Sequence, residues 1–589
     1  MIEYKERNHK HYAQQAVLRD LVDALLFEDV FGLRTSSTYT KRGTQTVLHY
    51  GEASRRIAIP VYFSGLNMYR CDGDIAYLET ETEKMPLDAP KLWSVLVDMN
   101  PKDAEQLNVA RFEEGLRAAT SQIERQGDAL ALATHPLVKS EQLASWKDRP
   151  FHPIAKEKRG LTDRDYEKFQ AEYHNVLQLH VVAVHRDYVL QSTHATEQAL
   201  LDVMMEGHES ALFEAMENAH VSFDTHMLFP VHPWQRAHVL PTEFADELDA
   251  RIIVPLDYTF GAFLSSSSMR SLIQLNQPYE HVKVPISVQS LGAVRLTPTR
   301  YMLNGEKAEQ LLRTIIDKDT ALDNLAYVCD ETVWWSFIDE DKDIFKDKIG
   351  HLTVQLRQFP KHYAQDDDVQ LISMAALAAH SDTLYRDILN SGHVTPDEAA
   401  LWSLFEDIVT KFITMTLGFM TYGALPELHG QNILVAFKDG RVDGFVLRDH
   451  DTVRIYPDWM HARGVDMPEY AVRKDSPNTL INEDLETFFT YFQTLAMSVN
   501  VYALVDAFSH VFGLDEGALM AIVRRALYEA VDNLAWNEAD RAAVKHVLFE
   551  KPTWPFKKIV MPLLLQTGSG GGSMPSSIGT VPNPMMSYE

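Results

Sequence analysis

Residues 427–455 read ELHGQNILVAFKDGRVDGFVLRDHDTVRI. Two strand-length apolar runs, 433–437 and 442–447, flank a Lys-Asp-Gly-Arg turn. Asp439-Gly440 is a strong hairpin signal, because a two-residue turn needs positive φ at both positions and these residue types tolerate it. An antiparallel hairpin brings its open ends together. It therefore carries His429, Gln431 and Asn432 next to Arg448, Asp449 and Asp451. Two carboxylates at i and i+2 beside an Asn oxygen suit Mg²⁺, which takes hard oxygen ligands, keeps several waters and bridges to substrate phosphates. His429 is placed to donate to a phosphate or a reacting carboxylate. The competing reading is a capped strand end with solvated aspartates.

A second region carries the opposite charge. Between Gly261 and Gly305 the only acid is Glu280, while the bases are Arg270, Lys283, Arg295 and Arg300. The chain as a whole has a formal net charge of −28, so this is a local reversal of sign. It opens with SSSSMRS, 265–271. Arginine offers a planar fork to phosphate or carboxylate, and serine hydroxyls and backbone N–H groups complete such a shell. Lys283, on the strand expected for HVKVPISV, adds a point charge. A flexible serine loop on a solvated face is the alternative, but such a face in this chain would mix signs. Smaller candidates are RPFHPIAKEKRG (His152, Lys156, Lys158, Arg159), which reads either as a basic loop over a nucleotide or as a surface linker, and TWPFKKIV, where Lys557 or Lys558 reaches a site. His232-Pro233-Trp234 reads as a packed strand exit and Val333-Trp334-Trp335 as core.

With 589 residues, two to four lobes are expected. The overall acidity repels phosphate backbones and argues against nucleic acid as a partner. Two widely separated cysteines, Cys71 and Cys329, match no metal spacing and point to a reducing cytoplasm. No run approaches the roughly 18 clean apolar residues of a membrane span. The nearest, FFTYFQTLAMSVNVYALVDAF, carries Gln493, Asn500 and Asp506 and reads as a buried helix. Helices are expected over 13–31, 104–146, 164–180, 307–316, 369–391, 396–420 and much of 482–550. Strands are expected over 45–50, 56–63, 228–231 and within 252–303. The segment 147–160 reads as a loop between lobes, and the Gly-, Ser- and Pro-rich tail from 567 as mobile or loosely draped.

A P-loop, a GxGxxG after a strand, a GxSxG elbow and an HExxH are all missing. An ATP and Mg²⁺ site beside a basic hydroxyl-rich pocket points to activation of a small anionic molecule. Small-molecule kinases place an aspartate directly after a comparable His-Gly to act as base, and here Gln431 stands there. A ligase that adenylates a carboxylate needs no base at that step, only charge neutralisation and in-line positioning. The ligase is therefore favoured over the kinase. A non-enzymatic citrate- or nucleotide-binding protein is a third reading.

At these residues the chain resembles the IucA/IucC family of NRPS-independent siderophore synthetases. The resemblance rests on HP-x-x-K (His152, Lys156), HPWQ (232–235), SSSMRS, K-VP…R (Lys283, Arg295) and E-x-HGQN…RDHD. LSSSSMRSLI, LGAVRLTPTRY and ALPELHGQNIL look most like its staphyloferrin B branch. The resemblance implies an α+β, three-part cupped hand, often dimeric, divided here as thumb 1–155, fingers 156–360 and palm 361–589. It implies ATP-dependent adenylation of a carboxylate and capture of the acyl-adenylate by an amine. By position, Ser268, Arg270, Ser271, Lys283 and Arg295 hold the triphosphate, and His152 lies against the nucleotide. His429 contacts phosphates or carboxylate, Asn432 and Asp449 serve Mg²⁺ with Glu427 and Asp451, and Lys557 joins the catalytic set with Arg295 and His429. Citrate-using members carry a polar run before the second arginine, whereas this chain has Leu291-Gly292-Ala293. That departure favours 2-oxoglutarate over citrate as the carboxylate, condensed with an amine of a citryl–diaminopropionate-type intermediate.

Overall fold

The computed structural model describes residues 9–43, 45–73, 75–126, 132–205, 209–473, 479–565 and 577–586. Three large apolar cores organise them. In the first, helix His9–Glu28 turns Val17, Leu18, Leu21, Val22 and Leu25 inward at helical spacing. They pack with a six-stranded antiparallel sheet that starts at Thr38–Arg42 and ends at Lys84–Leu87. Val560 and Leu564, near the other end of the chain, complete this core.

The second core lies on an eight-stranded antiparallel sheet. Its central strands are Thr353–Gln358, Glu280–Lys283, Ser271–Gln274 and Ile253–Ser265, in that spatial order. The third core surrounds the 427–455 hairpin. Strands Ile433–Lys438 and Arg441–Leu447 pair antiparallel, with a bulge after Ala436, inside a four-stranded sheet. Asp439 and Gly440 adopt φ of 52° and 71°, as the two-residue turn requires. Helix Glu398–Thr421 and the helices of 485–550 cover this sheet.

Four expectations are corrected. The stretch 369–391 begins as a strand, Gln370–Ser373, paired antiparallel with Ile433–Lys438, and only Met374–Leu377 and Asp382–Ser391 are helical, because the third core's sheet takes Leu371 and Ile372 as buried strand residues. The stretch 164–180 is not one helix. Asp163–Phe169 is helical, and Leu177–His185 is a strand, because Leu177, Leu179 and Val181 alternate inward with period two. The 147–160 segment is irregular, as expected, but it is no surface linker. Lys156 is buried against Glu172 at 2.5 Å and Lys158 against Asp148 at 2.5 Å. The tail is not loosely draped where it is described. Ile578–Pro582 pairs as a strand with Thr553–Lys557, Val581 and Met585 are buried, and the Asn583 amide donates to the Leu548 and Lys551 carbonyls. The Gly-rich stretch 567–576 lies outside the described residues. The one described helical stretch long and apolar enough to cross a membrane, Leu485–Phe512, packs into the third core as expected for a buried helix.

Candidate active site

The hairpin closes its ends as the sequence requires. Ile433 pairs with Leu447, and the Arg448 N–H donates to the Asn432 carbonyl at 3.0 Å. The Asn432 N–H donates to the His429 carbonyl at 2.8 Å, and its side-chain amide donates to Glu427 Oε2 at 2.8 Å. Gly430 is required by close approach: a Cβ there would meet Asn500 Oδ1 at 2.7 Å and the Ala375 N–H at 3.1 Å. Asp449 sits at φ 60°, a conformation that costs a non-glycine residue about 1 kcal/mol or more. Its N–H donates to Glu331 Oε1 at 2.9 Å, which helps hold it there.

Buried ion pairs lock this end of the hairpin to the basic region. Lys283 and Arg357 both donate to Asp449 Oδ1, Arg357 at 2.6 Å. Arg357 also binds Glu331 at 2.6 Å and the Ser271 hydroxyl at 3.1 Å. Glu141, on helix Pro136–Lys147, takes Arg448 at 2.6 Å on one oxygen and the Ser267 N–H and hydroxyl at 2.8 and 2.7 Å on the other. One carboxylate thus ties the serine turn to the hairpin.

The serine run is an ordered turn. The Ser266 N–H donates to the Ser271 carbonyl at 3.0 Å, Met269 takes φ 61°, and the Ser271 N–H donates to Ser268 Oγ at 3.3 Å. Arg270 donates to the Leu296 carbonyl, and its Nε, although buried, has no partner among the described residues. Arg295 makes no ion pair among the described residues. Burial and the neighbouring Arg270 pull its guanidinium down to about 10. Asp148 and Glu427 act on Arg295 only from beyond salt-bridge reach, and two crowded guanidiniums without a paired anion are what a phosphate or carboxylate would relieve. Leu291-Gly292, the departure noted in the sequence, is the turn of a small hairpin joining Gln289–Ser290 to Ala293–Val294, with φ of 54° and 80°, and it delivers Arg295. Arg300, the fourth base of the region, turns away toward Asp347 and the Phe345 carbonyl. The Ser271 hydroxyl faces inward to Arg357 and His281.

Lys557 ends the strand Thr553–Lys557, and burial and nearby Arg149 push its amine down to about 7. Its electrostatic neighbours include Glu427, whereas Lys558 acts on Glu28 in the first core. Burial, Arg149, Arg295 and Lys557 hold the His429 imidazole down at about 3, so it is neutral at physiological pH. His152 is held well below its ordinary value by burial, Arg149 and Lys557. The structure therefore brings His152, Arg270, Lys283, Arg295, His429 and Lys557 into one electrostatic neighbourhood, with Ser268 in the turn before Arg270. Sequence reasoning missed Arg149, Glu141, Glu331 and Arg357. Arg149 lay inside a quoted motif, and the other three carried no local signal.

The acids divide into two kinds. Burial would raise Asp449, but Arg357 and Lys283 hold it well below the usual carboxylate range. Burial and Asp451 push Glu427 up to about 7, and burial with Asp449 raises Asp451 despite Lys283. Glu427 and Asp451 thus repel each other and are short of positive charge. Among the described residues no three Asp, Glu, His or Cys gather into a metal cage. Mg²⁺ needs no such cage, since one or two carboxylates plus substrate phosphates hold it. These residues fit Mg²⁺ on that ground, and the orphaned Arg270 Nε and unpaired Arg295 fit a nucleotide triphosphate.

The whole chain has the fold of siderophore synthetases. It superposes on the petrobactin biosynthesis protein AsbB of Bacillus anthracis str. Sterne with a TM-score of 0.80 at 16% identity, covering 100% of this chain and 97% of that one. It superposes on the ATP-bound aerobactin synthetase IucA of Klebsiella pneumoniae with a TM-score of 0.74 at 19% identity, covering 96% and 99%. Residues 136–379 match the IucA/IucC family, and residues 404–570 match a family described as ferric iron reductase FhuF-like transporter. Staphyloferrin B synthase of Staphylococcus aureus (strain NCTC 8325 / PS 47) is 52% identical over 578 residues, 98% of each chain. The chain belongs to the IucA/IucC family, and it is a siderophore-synthesising enzyme of the ligase type.

Proposed function

We propose that this ligase adenylates a small carboxylate with ATP and Mg²⁺ and joins it to an amine in a staphyloferrin B-like pathway. The observation that carries the reading is the Arg270–Arg295 pair, which has no salt-bridge partner among the described residues and belongs to the same electrostatic neighbourhood as His429 and Glu427 at the open ends of the hairpin. Arg270, Arg295, Lys283 and Ser268 take the phosphate charge. Ser271 acts behind them, holding Arg357 and through it Asp449. Neutral His429 donates to a phosphate or carboxylate oxygen.

Glu427, Asp451 and the Asn432 side-chain oxygen, Oδ1, would hold Mg²⁺, with Asp449 adding Oδ2, the oxygen its ion pairs do not use. The metal supplies charge neutralisation on the phosphates. The carboxylate oxygen bonds to the α-phosphorus as the bond to pyrophosphate breaks. The amine nitrogen then bonds to the acyl carbon, AMP leaves, and the amine proton passes to solvent. Lys557 stands near Glu427 and offers positive charge to the departing phosphate. The Leu291-Gly292 turn supports 2-oxoglutarate over citrate, since it puts no polar side chain where citrate-using relatives carry one. The division into thumb, fingers and palm draws support from the three cores, and a homodimer and a reducing cytoplasm belong to the same reading.

Product analysis with hydroxylamine as surrogate amine tests it, using 2-oxoglutarate, citrate, succinate or no acid. AMP and pyrophosphate formed with 2-oxoglutarate alone are expected. The same products with citrate alone keep the reaction and change the acid. ADP would refute adenylation and favour a kinase.

A further inference from the structure

The adenylation chemistry leaves Arg149 without a role. Its guanidinium makes no hydrogen bond and no ion pair among the described residues. It is half-buried, and that burial pulls it down to about 10, although Asp148 acts the other way. Asp148, its neighbour in the chain, is already taken by Lys158 at 2.5 Å. A cation withdrawn from water without a partner is costly unless a ligand brings an anion.

The backbone is built to hold Arg149 in place. Helix Pro136–Lys147 ends at Asp148, whose N–H donates to the Ala144 carbonyl at 3.0 Å while φ is 57° and ψ −120°. Phe151 takes φ 61°. Two non-glycine residues at positive φ thus flank Arg149-Pro150, a costly arrangement of the kind that clusters at functional sites, and Pro150 disfavours helical backbone at Arg149. Lys158 anchors one side of this turn through Asp148, and Phe151 packs against Tyr502 on the other, with 5.7 Å between ring centroids. The helix before the turn is fixed to the hairpin region. The Ser373 N–H donates to Ser140 Oγ at 2.8 Å, Glu141 binds Arg448 at 2.6 Å, and the Ala375 N–H donates to the Gly430 carbonyl, beside His429, at 3.0 Å. Arg149 is delivered to the His429 end of the hairpin. Accordingly, its charge is the largest acting on His152, His429 and Lys557, and it also reaches Arg295. The cations that act most on Asp449 and Asp451 are instead Lys283, Arg270, Arg357 and Arg448. Arg295 feels both Arg270 and Arg149 and stands between the two groups.

We propose that Arg149 holds the non-reacting carboxylate of the acid substrate and so selects a dicarboxylic acid over a monocarboxylic one. This rests on the ligase reading and gives it a specificity-determining residue. An arginine fork takes a carboxylate through two parallel N–H···O bonds. Arg270, Lys283 and Ser268 serve the phosphates on one side of Arg295. Arg149 lies on the other side, where the far end of a short acid falls once its reacting carboxylate faces the α-phosphorus. His152 and His429, both neutral, add donors there without competing charge.

Arg149→Gln breaks no hydrogen bond or ion pair among the described residues, so its melting temperature should match wild type. With ATP, hydroxylamine and 2-oxoglutarate, KM for the acid should rise about thirty- to three-hundredfold while kcat stays within about threefold, because a grip on a non-reacting group is the same in ground and transition states. Arg149→Lys should recover part of the loss, since it keeps the charge and loses the fork. ATP affinity, measured by calorimetry at about pH 6 where Lys557 carries its charge in both proteins, should stay within about twofold of wild type. A loss of ATP affinity as large as the rise in KM, or a fall in kcat with KM unchanged, would overturn the proposal, because Arg149 would then hold phosphate or the reacting group. Unchanged kinetics would overturn it too. If wild type released pyrophosphate with citrate and not with 2-oxoglutarate, the same comparison made with citrate would decide Arg149. If no acid gave pyrophosphate, the ligase reading would fall, and calorimetric titration of 2-oxoglutarate and of citrate would still decide Arg149. Binding lost in Arg149→Gln supports the assignment, and binding equal in both proteins or absent from wild type overturns it.

Discussion

Asp449→Asn tests whether the hairpin end is a charge-balanced device. Asp449 Oδ1 compensates two buried cations, Lys283 and Arg357, whose side chains are 6% and 1% exposed. Removing one partner of a buried pair costs about 3–5 kcal/mol. Here Arg357 keeps Glu331 at 2.6 Å, and the Asp449 side chain is 18% exposed, so the cost falls at or just below that range, about 2–3 kcal/mol. At about 2–4 °C per kcal/mol for a unit of this size, the melting temperature should drop by roughly 4–12 °C. The sign with pH is fixed by the direction of the shift. The Asp449 carboxyl is depressed in the folded state, so its contribution is complete above the unfolded value near 4 and fades only as pH falls below that. The deficit of the variant should therefore be constant from pH 5 to 8.

The same substitution has a second consequence. In the wild type a phosphate must compete with Asp449 for Lys283, whereas in Asp449→Asn Lys283 faces the ligand unopposed. With EDTA present, ATP should therefore raise the melting temperature of the variant more than that of the wild type. Adding Mg²⁺ should help the wild type more, because the variant has lost an acid from the metal's surroundings. Thermal melts of both proteins with ATP, ATP plus Mg²⁺ and neither would read all of this. Equal melting temperatures in the absence of ligand, with equal ATP shifts, would refute the reasoning.

Other substitutions separate the remaining roles. Arg295→Ala breaks no ion pair, so its melting temperature should match wild type while carboxylate-dependent pyrophosphate release falls by about a hundredfold or more; near-normal release would remove Arg295 from the phosphate cradle. Lys557 loses its charge as pH rises through about 7, so KM for ATP should climb between pH 6 and 8 in wild type. That climb should vanish in Lys557→Met and persist in Lys558→Met. Deleting residues 577–589 removes the partner strand of Thr553–Lys557 and the burial of Val581 and Met585, the latter alone worth about 3–6 kcal/mol. The truncated protein should melt lower and lose the pH dependence carried by Lys557.

What the sequence made legible was local. The hairpin could be read because turn chemistry and two apolar runs fix register within a short span, and its convergent ends followed by geometry. The tail misled because Gly, Ser and Pro content describes residues 567–576, while IGTVP, 578–582, just beyond them, alternates enough to pair with TWPFK. The helix expected over 164–180 failed for a similar reason. A short apolar alternation at Leu177–Val181 was absorbed into the helical period before it, and only the neighbouring strands of the eight-stranded sheet select the strand.

The site was legible in its charges but not in its scaffold. The missing acids around Arg270, Lys283 and Arg295 marked the face proposed to bind anions, because that pattern lies within one segment. Arg357, Glu331 and Glu141 gave no such signal, since each meets its partners only across long loops. Arg357 reaches Asp449 because Thr353–Gln358 pairs with Glu280–Lys283, which sets it opposite His281 and two residues from Lys283 along the sheet. On the proposed reading, this arrangement also accounts for how a chain of net charge −28 keeps a polyanion site ready. Asp449 neutralises Lys283 and, with Glu331, Arg357 from within, and Arg270 and Arg295 are left without a salt bridge among the described residues. On that reading, a ligand phosphate meets an attractive pair of guanidiniums first and must displace an internal carboxylate only to reach Lys283.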